Sequence, residues 1–205
     1  MKELPDTLIA EMKERLLVHF AAGAWRVPVS VRAVAGGLGP VVAGGAADVA
    51  RVMRTLRARD GSPPLAGALR ALAPETAAVL RDLRRAEGFD DDPLAALPVA
   101  LPDLPPGAVL LSATATPVSV LVALLEAGAR GGLVWKPAPG AAASAHLVMD
   151  ASARHAPGAL AMVQGDHATA ALLAQEGPVI WASPAPPPMT LRPVLTLAAR
   201  APRSR

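Results

Sequence analysis

A single lysine stands where an α/β protein could bind a ligand. In "GLVWKPAPG" the apolar run Leu133 to Trp135 ends in Lys136 and is followed at once by Pro137 and Pro139. A strand buried on both faces reads as such a run, and a charge belongs where the strand emerges into a loop, so Lys136 marks a strand exit. Strand exits at the carboxyl edge of an α/β sheet are where ligands bind. Other chemistries find less support. The chain has no cysteine, which excludes a disulfide framework, a thiolate metal site and a cysteine nucleophile. His19, His146, His155 and His167 are scattered, with no pair at metal-ligand spacing. Asp90, Asp91 and Asp92 lack the glycine turn and downstream ligand of a calcium loop and read as a solvated loop. Ser112, Ser119 and Ser144 lie in no Gly-x-Ser-x-Gly elbow, so serine hydrolysis is unsupported.

The elements that must position Lys136 follow from periodicity. From Ala108 the pattern alternates between apolar runs and helices: "AVLLSAT" strand, "PVSVLVALLEAGA" helix, "GGLVWK" strand, "AAASAHLVMDASAR" helix, "GALAMVQG" strand, "DHATAALLAQEG" helix, "PVIWAS" strand. Pro117 stands in the first turn of its helix. The expected fold is α/β, a Rossmann-like parallel sheet with right-handed crossovers and helices on both faces. Upstream, Leu8, Ile9, Met12, Leu16 and Phe20 share one face of a helix starting near Asp6 or Thr7. The Gly-rich stretch from Ala21 to Gly45 reads as short strands or a hairpin. Val49, Val52, Met53 and Leu56 recur at helical spacing over Ala46 to Arg59, with Asp48 in the first turn and Arg51, Arg54, Arg57 and Arg59 mainly toward solvent. A second helix begins near Pro74 and carries Val79, Leu80 and Leu83. The proline-rich residues 89–106 form a connector between an N-terminal part, 1–88, and the Rossmann-like half, 107–205, within a single domain over 1–205.

At 205 residues and 52% apolar content there is ample material for one core. With aromatics at 2% and a net charge of only +3, neither base stacking nor a strong positive field is available, so no nucleic-acid partner is expected. The charged N-terminus is neither a secretory signal nor a membrane span, and a soluble cytoplasmic protein with no membrane partner is expected. The basic tail "ARAPRSR" reads as a frayed, solvated end.

The order of these pieces resembles the nucleotide-binding domain of the aldehyde dehydrogenase superfamily. "EAGARGGLVWKPAPG" matches an Ala-rich helix running into a strand that ends in Lys-Pro-Ser/Ala-Glu/Pro. "HAPGALAMVQGD" matches a Pro-Gly before a strand and a Gly turn, and "PVIWASP" matches, loosely, a strand ending in Phe-Thr-Gly-Ser. "LRPVLTLAARAP" resembles the Leu-Glu-Leu-Gly-Gly segment. "HFAAGAWRVPVS" and "GPVVAGGAADVARVMRTLRAR" resemble the family's opening strand and the strand and helix after it. The resemblance implies NAD or NADP as the candidate cofactor, with Lys136 on the adenosine ribose and Pro137, Gly165 and Ser183 as further contacts. Without it, Lys136 is a charge at a strand exit and Gly165 an ordinary strand-to-helix turn.

The departures point away from catalysis. The family's thiolate nucleophile has no counterpart in a chain without cysteine. The general-base glutamate falls on Thr196 and the paired glycines on Ala198 and Ala199; the oxyanion asparagine falls on Ala115. The ribose-pairing glutamate falls on Pro139, and the strand end becomes Trp181, Ala182, Ser183 and Pro184. The chain also stops where the family's catalytic domain begins, and no metal site is implied. The reading is a non-catalytic relative that binds NAD(P) or another adenine nucleotide and serves as a partner-binding or regulatory subunit. The alternative is an oxidoreductase component whose cysteine comes from a second chain.

Overall fold

The computed structural model describes residues 18–56, 74–92 and 101–204. The helix expected near Asp6, Arg57 and Arg59, and residues 93–100 of the proline-rich connector lie outside the described residues. Nine strands are described: β1 (His19–Ala21), β2 (Ala24–Arg26), β3 (Ala33–Ala35), β4 (Pro40–Val42), β5 (Ala108–Ser112), β6 (Leu133–Pro137), β7 (Leu160–Met162), β8 (Val179–Ala182) and β9 (Leu195–Leu197). The helices are α1 (Ala46–Thr55), α2 (Pro74–Ala86), α3 (Val118–Gly128), α4 (Ala142–Ala153) and α5 (His167–Leu173).

Seven strands form one sheet in the order β2-β1-β7-β6-β5-β8-β9, and β3 pairs with β4 in a separate hairpin. From β7 to β9 all pairings are parallel, whereas β1 runs antiparallel to both β2 and β7. The order reverses at β5, so the crevice between the exits of β5 and β8 is the switch point where open α/β sheets place ligands.

The apolar runs are buried on both faces, as their composition requires. Leu110, Leu133, Trp135, Leu160, Met162 and Ile180 pack against α3 and α4. Val109, Leu111, Val134, Ala161 and Val163 face α1 and α5 through Val49, Val52 and Leu173. Trp135 is fully buried and donates its indole Nε1–H to Ser112 Oγ at 2.9 Å, so its one polar atom is satisfied. No helix links β8 to β9. The Pro-rich residues 183–194 make that connection instead, tied by Val194 N–H to the Val179 carbonyl.

β1 and β2 complete the same sheet, and buried polar groups fasten the N-terminal part to it. His19 is wholly buried; its Nδ1 accepts from the Gln164 backbone N–H at 3.2 Å, while Nε2 lies 3.9 Å from an Asp48 carboxylate oxygen. Asp48, also wholly buried, accepts from the backbone N–H groups of Val29, Ser30 and Gly45 and from Arg51. Burial alone would raise its pKa, but those donors and His19 hold it below the usual carboxylate value. Asp48 thus does more than complement a helix dipole: it closes the turn that brings residues 29–48 onto β7. Gly44 N–H donates to the Gln164 carbonyl and Thr169 Oγ1 to the Gly44 carbonyl, which fixes the segment after β7.

Burial lowers the His19 pKa to about 4, against the attraction of Asp48. The unfolded chain therefore binds the proton more readily, and the contribution of neutral His19 is lost as pH falls from 6.5 toward 4. Denaturant unfolding should show a loss of roughly 3 kcal/mol across that window. The His19→Gln variant should lose less over the same range.

Candidate functional site

The carboxyl edge of the parallel strands carries Lys136 and Pro137 at the end of β6, Gly165 after β7 and Ser183 after β8. All four residues implied by the resemblance thus lie on one edge. β5 intervenes between β6 and β8, so Ser183 is two strands from Lys136, about 10 Å across the sheet.

Lys136 is not where a strand-end charge was expected. It lies inside β6 and is only 6% exposed. By register it sits between Leu111 of β5 and Val163 beyond β7, on the face of α1 and α5. Among the described residues its amine has no hydrogen-bond or ion-pair partner, and the side chain keeps only a small exposure to solvent. Burial lowers its pKa to about 8, opposed by the charge of Asp166. At pH 7 about one molecule in ten carries the neutral amine.

Asp166 is already committed. It caps α5 by accepting from the N–H groups of Ala168 and Thr169, and both of its oxygens accept from the Arg32 guanidinium, at 2.7 and 3.1 Å. The Arg32 hydrogen bond is the main reason its carboxyl lies far below the usual range. The cap was readable from an aspartate opening a helix. The Arg32 partner was not, because it comes from the other side of the hairpin, 134 residues away.

The remaining implied contacts are occupied locally. Gly165 has φ +149°, and a Cβ there would lie 2.2 Å from Thr169 Oγ1, so glycine is needed for the turn to pack on α5. Ser183 is buried; its N–H donates to Leu197 and its Oγ accepts from Ala185 N–H. Pro137 closes β6 opposite Ser112, and the turn behind it is covered by the β3–β4 hairpin, where Gly37 N–H donates to the Pro139 carbonyl.

The loop after β5 and the first turns of α3 and α4 are held by buried charges, among them Asp91, which the sequence had suggested was solvated. Asp91 is 8% exposed, and its carboxylate accepts from Arg84 Nε at 2.9 Å and from the Val118 N–H at 2.8 Å, in the first turn of α3. Glu87 accepts from Arg84 Nη1 and from both the N–H and Oγ of Ser144 in the first turn of α4. Arg84, 1% exposed, also donates to the carbonyls of Thr114 and Thr116 in the loop after β5. Asp90 and Asp92 pair with Arg85 and Arg81. Asp90 and Asp92 stay exposed, as a solvated loop requires, while Asp91 turns inward; α2 presents an arginine to each, and the helix dipoles of α3 and α4 reward the inward acids Asp91 and Glu87. Among the described residues no group of three potential ligands could hold a metal. The tail is not frayed either, since Ala201 N–H donates to Ala115, Asp90 N–H to Pro202, and Ser204 N–H to Gly88. These are backbone bonds, which side-chain composition does not announce.

This arrangement can present one under-solvated amine to a ligand, but it offers a phosphate no open N-terminus at α1, α3, α4 or α5. The first turns of α1, α3, α4 and α5 already hold Asp48, Asp91, Glu87 and Asp166.

Two consequences are measurable. Removing the buried cation with Arg84→Ala strands two carboxylates, and the expected loss in denaturant unfolding is about 3–5 kcal/mol. Lys136→Met should act in the opposite direction. Because its folded pKa is depressed, the lysine weakens the fold fully below pH 8 and progressively less up to 10.5. The variant should be more stable at pH 7 by up to about 3 kcal/mol, and it should lose the rise in stability that the parent shows between pH 8 and 10.5.

No family model matches the sequence, and no curated protein matches it. Solved structures do match the fold. The Delta-pyrroline-5-carboxylate dehydrogenase from Mycobacterium tuberculosis aligns with a TM-score of 0.60 at 15% identity, over 88% of this chain and 45% of that one. The NAD+ complex of an aldehyde dehydrogenase from Bacillus cereus aligns with a TM-score of 0.62 at 15% identity, over 88% and 48%. Betaine aldehyde dehydrogenase from Staphylococcus aureus, in complex with NAD+, gives 0.55 at 13% identity, over 85% and 46%. The chain spans a little under half the length of these proteins, and at such identities the likeness concerns architecture: its fold is aldehyde-dehydrogenase-like, a Rossmann-like α/β sheet.

Proposed function

We propose that this protein binds the adenosine end of an adenine nucleotide, NAD or NADP foremost, at the carboxyl edge of its sheet, and that it acts without dehydrogenase chemistry, as a partner-binding or regulatory protein. The observation that carries this reading is Lys136, a buried amine near the carboxyl end of β6 that has no partner among the described residues and whose pKa is lowered by burial. Buried cations are ordinarily paired, and a group that departs from that rule at a sheet edge is a functional-site candidate. The fold's neighbours, two of them in complex with NAD+, support the choice of ligand class.

The fit differs along the cofactor. Lys136 would donate to the ribose hydroxyls, which suits an amine with three donors. The phosphates find less: the α3 N-terminus is taken by Asp91, and β8 exits through Ala182, Ser183 and Pro184 with no helix behind it. Arg32, a cation on the hairpin side, is engaged by Asp166. The case against autonomous dehydrogenation rests on missing groups. There is no thiol, Thr196 stands exposed on edge strand β9, and Ala115 offers only its backbone, with its carbonyl accepting from Ala201.

Calorimetric titration with NAD, NADP, ATP and AMP tests the reading. Saturable binding is expected, weakened in Lys136→Ala by roughly tenfold or more, the worth of one charge-assisted hydrogen bond. AMP should bind within about tenfold of NAD, since the second half of the dinucleotide gains little. A folded protein that binds none of the four would sink the proposal, and NAD binding a hundredfold tighter than AMP would show that the crevice opens for phosphate.

A further inference from the structure

We propose that Lys136 is also a carbonyl-capture site, whose amine attacks the carbonyl carbon of a small aldehyde and holds it as an imine at the carboxyl edge of the sheet. The chain has 20 Lys and Arg residues, and only Lys2, Lys13 and Lys136 are lysines. Arginine cannot shed its proton in a protein, whereas a desolvated lysine can, and the neutral amine is the nucleophile. The one lysine among the described residues is thus also the one cation buried without a counter-charge. Asp166, the acid whose charge acts on it, has spent both oxygens on Arg32. Leu111, Val134 and Val163 share its face of the sheet, an apolar setting that disfavours the ammonium form. Lys136 keeps 6% of its surface exposed, the opening through which a small carbonyl compound would reach it.

The step balances without any oxidant. The nitrogen lone pair forms the C–N bond and the carbonyl π pair moves to oxygen. Proton transfer gives a carbinolamine, and its oxygen leaves as water with the two amine hydrogens, so that C=N replaces C=O. The addition is reversible, needs no nucleotide and stands apart from the reading above.

The test uses the full chain with propanal and cyanoborohydride, which reduces the imine to a stable propylamine, followed by tryptic mapping. The peptide from Gly131 to Arg154 contains this lysine alone. In the folded protein at pH 7.5 Lys136 should be marked roughly tenfold or more faster than Lys2 and Lys13, because a larger share of it is unprotonated. Its rate should level off above pH 8, and urea should abolish the advantage. Lys136→Arg, checked by circular dichroism, should leave that peptide unmodified. Marking of Lys136 in the folded protein no faster than that of Lys2 and Lys13 would overturn the proposal, as would an advantage that persists in urea.

Discussion

Arg84 is the residue on which the carboxyl edge depends. Its guanidinium reaches two carboxylates and two carbonyls at once, and each partner belongs to a different piece of the edge: Asp91 to the segment that caps α3, Glu87 to the cap of α4, Thr114 and Thr116 to the loop after β5. Burying three charges is unfavourable unless the geometry satisfies nearly every donor and acceptor. Here it does, and burial still pushes the Glu87 carboxyl above its usual pKa, against Arg84 and Ser144. The planar fork fits this task in a way a lysine would not. The result is a rigid edge whose helix N-termini are filled from within.

That internal filling decides what the fold can still bind. An open Rossmann-like sheet normally offers its first helix N-terminus to a phosphate. In this chain the same position holds a carboxylate hydrogen-bonded to Val118, and a phosphate would have to displace it and strand Arg84. Loss of a helix after β8 removes a second such terminus. What is left is the face between β6 and α5, where an amine is free and the surrounding side chains are apolar.

The strands and helices from Ala108 to Ala182 were legible because their signals are local: apolar runs of strand length, a proline before α3 and an aspartate before α5. The switch-point charges were not, and the reason is distance along the chain. Arg84 and Thr116 are separated by 32 residues, Arg32 and Asp166 by 134, and periodicity carries no record of which acid meets which base. Asp90 to Asp92 looked alike in sequence, yet only Asp91 turns inward, because only it faces both Arg84 and the start of α3. Lys136 was found by its position and misjudged in its burial. A lysine that ends an apolar run was expected to emerge, but β6 continues one residue further and keeps it on a covered face. Gly165 was seen as a turn or a phosphate contact, and the close approach of Thr169 accounts for it as a turn.

The two buried cations of this edge separate structural from functional charge. Arg84 is paired with two carboxylates and two carbonyls and binds three elements together, so its burial is explained by what it holds. Lys136 is equally hidden but holds nothing that is described, and its burial leaves it less basic than a free lysine. In a chain where arginine outnumbers lysine 17 to 3, this one buried position holds the cation that can lose its proton. Local violations of the pairing rule are where function is sought in a folded chain. A sugar hydroxyl or a carbonyl carbon would each supply the partner that the fold withholds.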